Sequence, residues 1–341
     1  MLLDIAQVDA FTSVPFGGNP AGVVPRADAL TDDLMQRIAR EMALSETAFV
    51  CAPTQPGADL RVRFFTPTQE IDLCGHATIG TFFYLAQEGL IPAITGKSLN
   101  PDGETLLHQQ TRAGVLAVRI HCREGRVQRV MMSQQLPRVI ATEVDPDVVA
   151  EVLGLSPSDI REAHAPAQVI STGVPDLLVP LNGLDALRRC RPDMAHLREF
   201  MAANDLVSVH PFTLETESPQ ATAQARDFAP TVGIPEESAT GTANGALGAY
   251  LVLNRLAPAP MAPMTSPAPF ASPAETPSAG AGTVRMLMEQ GHTLGRPSQI
   301  QVEVDQDRLE DFGGRWTPAA AISGVRVGGQ AVTVFRGVMN L

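Results

Sequence analysis

Leu73-Cys-Gly-His-Ala-Thr-Ile-Gly80 runs directly into Thr81-Phe-Phe-Tyr-Leu-Ala86, so a glycine turn opens a segment that is apolar nearly all round. A helix lying on a surface shows one apolar stripe, whereas a helix apolar on every side belongs inside. This one is expected to be buried within a sheet or barrel. The arrangement returns at Ala239-Thr-Gly-Thr-Ala-Asn-Gly-Ala-Leu-Gly-Ala-Tyr-Leu251. Phe65-Thr-Pro67 precedes the first copy and Phe228-Ala-Pro230 the second. Laying Gly75 on Gly241 pairs Cys74 with Thr240, His76 with Thr242 and Ala77 with Ala243. Self-similarity of this kind along a whole chain marks a duplicated unit.

The flanks carry the repeat outward. Thr31 before Asp32-Asp-Leu34, with Ile38, Met42 and Leu44 at roughly helical spacing, predicts a capped helix to about Ala43. Strands are predicted over 46–50, 60–65, 114–120 and 127–131, the last two joined by a turn at Glu124-Gly125. Ahead of the second motif, 198–203 reads as a helix and 206–212 as a strand, and Leu294-Gly-Arg-Pro-Ser-Gln-Ile-Gln-Val302 follows it as a glycine turn and strand. The opening Leu2 to Phe11 reads as a strand, and Pro15 to Pro20, with Gly17-Gly-Asn19 between, as the loop after it. Ala257 to Gly282 has no counterpart in the first copy and holds seven of the 28 prolines. It reads as a solvated connection, with a lid or partner contact as the alternative.

At 341 residues the chain exceeds one core of about 100–200 residues, which predicts two domains. With 44% hydrophobic and 18% charged residues it has material for a sizeable core. Thirty-seven acidic against 25 basic side chains give −12, which argues against a nucleic-acid partner, since phosphate surfaces need clustered Lys and Arg. The four cysteines, Cys51, Cys74, Cys122 and Cys190, form no CxxC pair, so neither a disulfide framework nor a zinc knuckle is written here. Met1-Leu-Leu-Asp4 lacks the basic-then-apolar run of a secretory signal and no 18-residue apolar stretch occurs, so a cytoplasmic protein without a membrane partner is expected.

A helix start offers unpaired N–H groups and the positive end of a dipole, so two such starts facing one another are suited to hold a carboxylate or an enolate. At corresponding points of two halves they imply one cleft between them. Gly241-Thr-Ala-Asn-Gly245 lacks the Lys-Ser/Thr ending of a phosphate loop and the full GxGxxG spacing, so nucleotide binding is rejected. His108, His121, His164, His196, His210 and His292 form no metal-ligand spacing and read mostly as surface or loop residues.

Taken in order, Gly17-Gly-Asn-Pro-Ala-Gly-Val23, Leu44-Ser-Glu-Thr-Ala-Phe49, Phe65-Thr-Pro67 with Leu73-Cys-Gly-His-Ala-Thr78, Ser171-Thr-Gly173 and Gly233-Ile-Pro-Glu-Glu-Ser-Ala-Thr-Gly-Thr242 resemble the PhzF-like phenazine-biosynthesis isomerase family. The tail, Gly295-Arg-Pro-Ser298 and Val325-Arg-Val-Gly-Gly-Gln-Ala-Val332, resembles it as well. The resemblance implies the diaminopimelate-epimerase-like fold: an α+β protein of two pseudo-symmetric domains, each a curved sheet or barrel around a central helix. On that basis residues 1–136, joined by a last strand at about 330–341, make one half. Residues 137–330, with the Pro/Ala-rich insertion 257–282, make the other. The resemblance also implies isomerase chemistry on a small carboxylate-bearing substrate, without metal or organic cofactor, in a homodimer. A dihydro-hydroxyanthranilate is the substrate that the resemblance suggests first.

Carried over position by position, Glu46 matches the family's catalytic carboxylate, which takes a proton from carbon and returns it elsewhere. Taken alone it reads as an acid capping a strand end in solvent; in a dry cleft its basicity rises by desolvation. His76 matches the active-site histidine, against the alternative of a satisfied core imidazole. Glu237 stands where the family usually has Asp, with one methylene more reach, as a group orienting polar atoms. Gly75, Gly241, Thr242, which stands where many members have Ser, and Asn19 are the substrate-binding candidates. Cys74 is expected to pack at its helix start. Opposite it stands Thr240, too weak an acid or base for a symmetric cysteine racemase. A Cys74/His76 hydrolytic pair depends on backbone geometry. Epimerisation or C–C hydrolysis in the same cleft, or a catalytically silent ligand-binding member, are the alternative outcomes.

Overall fold

The computed structural model describes residues 1–141, 144–161, 163, 165–259, 282–306 and 322–341. Most of the proline-rich segment, 260–281, lies outside the described residues. The first half of the chain runs β1 (Leu2–Ala10), β2 (Asn19–Val24), α1 (Asp32–Met42), β3 (Glu46–Cys51), β4 (Leu60–Phe65), β5 (Glu70–Ile71), α2 (Gly75–Gln87), a short α3 (Ile91–Thr95), β6 (Glu104–Thr111), β7 (Gly114–Arg123) and β8 (Arg126–Ser133). There follow β9 (Arg138–Ala141), α4 (Pro146–Leu153), α5 (Pro157–Arg161), β10 (Gln168–Ser171), β11 (Pro175–Pro180), α6 (Leu184–Arg189), α7 (Met194–Ala203) and β12 (Ser208–Thr213). The chain ends with β13 (Ala223–Ala225), β14 (Asp227–Ala229), β15 (Ile234–Glu237), α8 (Gly241–Leu253), β16 (Gly282–Gln290), β17 (Ser298–Gln306), β18 (Ile322–Gly329) and β19 (Ala331–Asn340).

The pairing repeats strand for strand. In the first half β1 is antiparallel to β2, β2 parallel to β3, β3 antiparallel to β4, and β4 antiparallel to β5 and parallel to β6. In the second half β10 is antiparallel to β11, β11 parallel to β12, and β12 antiparallel to β13 and β14. Strand β14 is then antiparallel to β15, and β13 parallel to β16. Each half closes with an antiparallel run, β6-β7-β8 and β16-β17-β18. The outer strand of the first half comes from the far end of the chain, β19 beside β1, while in the second half β9, the preceding strand, lies beside β10.

Each half wraps its own helix. α2 packs on β1, β2, β3, β7, β8, β18 and β19, and α8 on β10, β11, β17 and β18. Ile79, Phe82 and Leu85 of the first helix and Leu247, Tyr250 and Leu251 of the second are buried in one continuous core. That is why neither helix carries a polar stripe: both are enclosed by strands. The structure is a mixed α/β fold dominated by one large sheet, in line with the fold that the resemblance implied. Helix α1 starts where expected, with Thr31 Oγ1 accepting the Leu34 N–H at 3.3 Å. One local reading is corrected: Asn19 and Pro20 are not loop but the start of β2. Proline is tolerated there because the parallel ladder to β3 begins only at Ala21, one residue later. No helix among the described residues is long and apolar enough to cross a membrane.

Among the described residues the two halves share one direct ladder, β8 with β18, in which Gly328 lies opposite Met131. A Cβ at Gly328 would stand 1.9 Å from the Val130 carbonyl oxygen and 2.7 Å from Met131 Cα. These are backbone atoms, so relief requires the ladder itself to shift. Gly328→Ala is therefore expected to lower stability by about 3 kcal/mol, read as a lower urea midpoint. Gly337→Ala, whose Cβ meets nothing closer than 3.7 Å, should leave the midpoint nearly unchanged.

Candidate active site

Four side chains from four elements meet where the starts of α2 and α8 converge. Glu46 is the first residue of β3 and His76 the second of α2. Asn19 opens β2, and Glu237 closes β15, three residues before Thr240. Glu46, His76 and Asn19 are buried, and Glu237 nearly so. The amide of Asn19 ties them together. Its Nδ2 donates to Glu237 Oε1 at 2.8 Å and to the Ala239 carbonyl at 3.0 Å, and lies 3.2 Å from His76 Nδ1. Thus one side chain of the first half touches the imidazole at one helix start and the backbone leading to the other.

Asn19 is held by the turn before it. Gly18 adopts φ +61°, and a Cβ there would stand 2.0 Å from the Ala10 carbonyl oxygen, so only glycine fits. From the second half, Ser238 Oγ donates to the Gly18 carbonyl at 3.0 Å. Arg296 donates to the Gly18 and Gly17 carbonyls and pairs with buried Asp9 at 2.9 Å. The Gly17-Gly18 and Gly295-Arg-Pro-Ser298 motifs thus act on each other.

The electrostatics separate the two carboxyl groups. Burial raises the pKa of Glu46, but the imidazole of His76, with Nε2 3.1 Å from Oε2, outweighs it and holds the group below the usual carboxylate range. Oε2 has no aligned hydrogen-bond partner among the described residues. Burial works against a charge on His76, yet the sulfur of Cys74 and the carboxylate of Glu46 raise its pKa well above the ordinary histidine value. Glu237 goes the other way. Burial pushes it up to about 7 against the attraction of His76, with help from the charges of Asp227 and Glu46. A pair of carboxyl groups pushed in opposite directions is the pattern of an acid and a base.

Cys74 caps α2 in an extended conformation without a side-chain cap bond, and its Sγ lies 3.4 Å from His76 Nδ1. Burial, and then the Glu46 charge, push the thiol up to about 11. It is therefore a thiol at neutral pH, and a nucleophilic thiolate is not what this environment favours. Glu46, Cys74 and His76 each place a ligand atom within 4.8 Å of the others. The imidazole lies between the other two, with Nε2 3.1 Å from the carboxylate and Nδ1 3.4 Å from the sulfur.

The remaining candidates stand at the two helix starts. Thr240 caps α8 as Cys74 caps α2, extended and without a side-chain cap bond. The first N–H groups of both helices thus have no intrahelical partner and none from the cap side chain. The space above Gly75 is open, with only Met132 Cε at 3.8 Å from a built Cβ, whereas Gly241 backs onto Val327 and Phe11. Thr242 directs its methyl toward Gly173, and its carbonyl accepts from Thr172 Oγ1 at 3.2 Å. A cavity of about 440 Å³ borders Gly17 and is lined by Phe16, Glu289 and Gln299 among others, but not by Glu46, His76 or Glu237.

Residues outside the expected set extend the site. Asp227 lies opposite Glu237 across the β14–β15 ladder. On the other face of that ladder Arg226 forms a two-pronged ion pair with Glu236, both contacts at 2.8 Å, which fixes the strands. Asp227 accepts from Thr240 Oγ1 at 2.9 Å and lies 2.9 Å from His210 Nδ1. His210 is fully buried in β12, which corrects its reading as a surface or loop residue. The only signal for Asp227 was an acid inside a short apolar strand, one residue before Phe228-Ala-Pro230.

Comparison with known proteins agrees with this architecture. The model of the phenazine biosynthesis-like protein family, PhzC-PhzF, matches residues 8–337. An uncharacterized isomerase of Bacillus subtilis, YfhB, is 32% identical over 304 residues, 89% of this chain and 91% of that protein. The crystal structure of a PhzF-family phenazine biosynthesis protein of Bacillus anthracis superposes with TM-score 0.77 at 28% identity, covering all of both chains. A hydroxyproline epimerase of Agrobacterium vitis shares the fold at 15% identity and TM-score 0.57, covering 99% of this chain and 91% of its own. A duplicated fold, a buried Glu-His-Asn-Glu cluster between its halves and a family match over nearly the full length lead to one conclusion: the chain belongs to the PhzC-PhzF phenazine biosynthesis-like family.

Proposed function

We propose that this protein is an isomerase that moves a proton within a small carboxylate-bearing substrate, with Glu46 as the group that takes the proton from carbon and returns it. The observation that carries this reading is Glu46 Oε2: buried, ionised beside His76, and without an aligned hydrogen-bond partner among the described residues. A buried carboxylate that is ionised and keeps one oxygen free of an aligned donor can take a proton from a carbon acid, although His76 holds its basicity below what burial alone would give. His76, charged by its neighbours, stabilises the ionised base and the negative charge that develops on the substrate. The open approach over Gly75, with the helix-start amides there and at Gly241 and the hydroxyl of Thr242, supplies donors for the substrate carboxylate. Asn19 and Glu237 orient its polar groups from the side. These side chains account for the proton transfer without calling on a metal or organic cofactor. The bound trans-4-hydroxy-L-proline of the hydroxyproline epimerase belongs to the same substrate class.

Glu46→Gln keeps the shape and removes the basicity. Incorporation of deuterium from heavy water into a working substrate is expected to fall by about 10²–10⁴-fold. Undiminished exchange sinks the assignment. The homodimer and cytoplasmic setting implied by the family belong to the same reading, and a sedimentation experiment giving only the one-chain mass overturns the dimer.

Glu237 sets the pH dependence of binding. Its pKa of about 7 makes it neutral below that value and negative above it, beside a Glu46 that is already charged. The dissociation constant of a carboxylate ligand, measured by calorimetry, should therefore rise as pH increases through about 7. In Glu237→Gln that rise should disappear. A pH-independent affinity in the wild type refutes the assignment.

A further inference from the structure

The hydroxyl of Thr240 has one proton and two lone pairs, and three polar groups surround it. Asp227 Oδ2 lies at 2.9 Å, Glu237 Oε2 at 3.1 Å and Gln290 Nε2 at 3.2 Å. The orientation of Gln290 is fixed independently. Its Oε1 accepts from the Thr240 N–H at 3.2 Å and from Asn244 Nδ2 at 2.7 Å, and its Nε2 donates to the Glu237 carbonyl at 2.8 Å. The second Nε2 hydrogen is thus the one that points at Thr240, and one lone pair of the hydroxyl is taken. With a single hydroxyl proton left for two carboxyl groups, one of them has to bring a proton of its own.

The surroundings decide which. Asp227 Oδ1 lies 2.9 Å from His210 Nδ1, while His210 Nε2 is buried with no partner among the described residues. An N–H at Nε2 would be left unsatisfied, whereas a bare lone pair costs less, so the hydrogen sits on Nδ1 and donates to Asp227. Asp227 as the anion then receives both His210 N–H and Thr240 O–H. Glu237, facing the charge of Glu46 and taking its Oε1 bond from Asn19, is left with Oε2 against a hydroxyl lone pair. It makes that contact by donating.

We propose that Asp227 and His210 are positioning residues which, through Thr240, keep a proton on Glu237 Oε2. Resting on the reading of Glu46 as the ionised base, this gives the site one negative and one neutral carboxyl, so an anionic substrate meets a single like charge and a proton donor opposite it. The groups facing Glu237 are Glu46 from β3, His76 from α2, Asn19 from β2, Gln290 from β16, Thr240 at the start of α8 and Asp227 from β14. Arg226 and Glu236 neutralise each other across the same strand pair.

The test is isotope-edited infrared spectroscopy of the full chain carrying glutamate labelled with ¹³C at the side-chain carboxyl, slightly below neutral pH. A protonated-carboxyl band is expected in the wild type and absent in Glu237→Gln. Asp227→Asn should abolish it, because the new amide donates to Thr240 and turns the hydroxyl proton toward Glu237, which then ionises. Thr240→Ser, with the hydroxyl kept, should preserve it. No band in the wild-type minus Glu237→Gln difference overturns the proposal, and so does a band unchanged in folded Asp227→Asn. The first comparison needs no change at position 227, so it decides the matter even if that variant does not fold. Failure of the Glu46 reading would show separately, as undiminished deuterium exchange in Glu46→Gln.

Discussion

Two acidic side chains from opposite halves of a duplicated chain, Glu46 and Glu237, are held out of water within reach of one imidazole, and a single imidazolium compensates one buried negative charge, not two. Much of the local structure follows from that constraint. His76 takes the closer contact with Glu46, so the ion pair forms within the first half. Glu237 is left with neutral partners, the Asn19 amide and the Thr240 hydroxyl, which suit a protonated group.

The overall charge of −12 gives no general attraction for an anion. On the function proposed above, selectivity for a small carboxylate would therefore depend on donors of short range, the backbone N–H groups whose direction the helices set. A glycine-tight turn, pinned across the interface by Arg296 and Ser238, places Asn19 in the one position where it spans both halves. A rigid scaffold of this kind suits chemistry that needs a proton moved over a short distance with little rearrangement.

Much of this was legible from residue order alone. The paired glycine turns opening into apolar helices announced enclosure and duplication, and the strand pairing repeats them ladder for ladder. Glu46, His76, Glu237 and Asn19 came from motifs that resemble a known family, and the structure brings His76 within reach of the other three. His210 and Asp227 were not legible. Strand β12 is buried along its full length, so its residues alternate between two covered faces and nothing in the pattern separates a histidine turned to a carboxylate from one turned to solvent. The β2 start was misread for a different reason: Gly-Gly-Asn-Pro is a turn composition, but a strand can begin with proline where no second neighbour needs its N–H.

The placement of β19 beside β1 has a consequence for how the molecule is made. Residues 331–340 complete the first half, yet they are synthesised after the whole of the second half. Until they arrive, β1 presents a bare edge, which is an invitation to pair with the wrong chain. The nascent first half therefore waits on a contact of very high sequence separation, and closing it is expected to be among the slower steps. A chain interrupted before residue 331 would contain every group of the candidate site and lack the strand that lies beside β1.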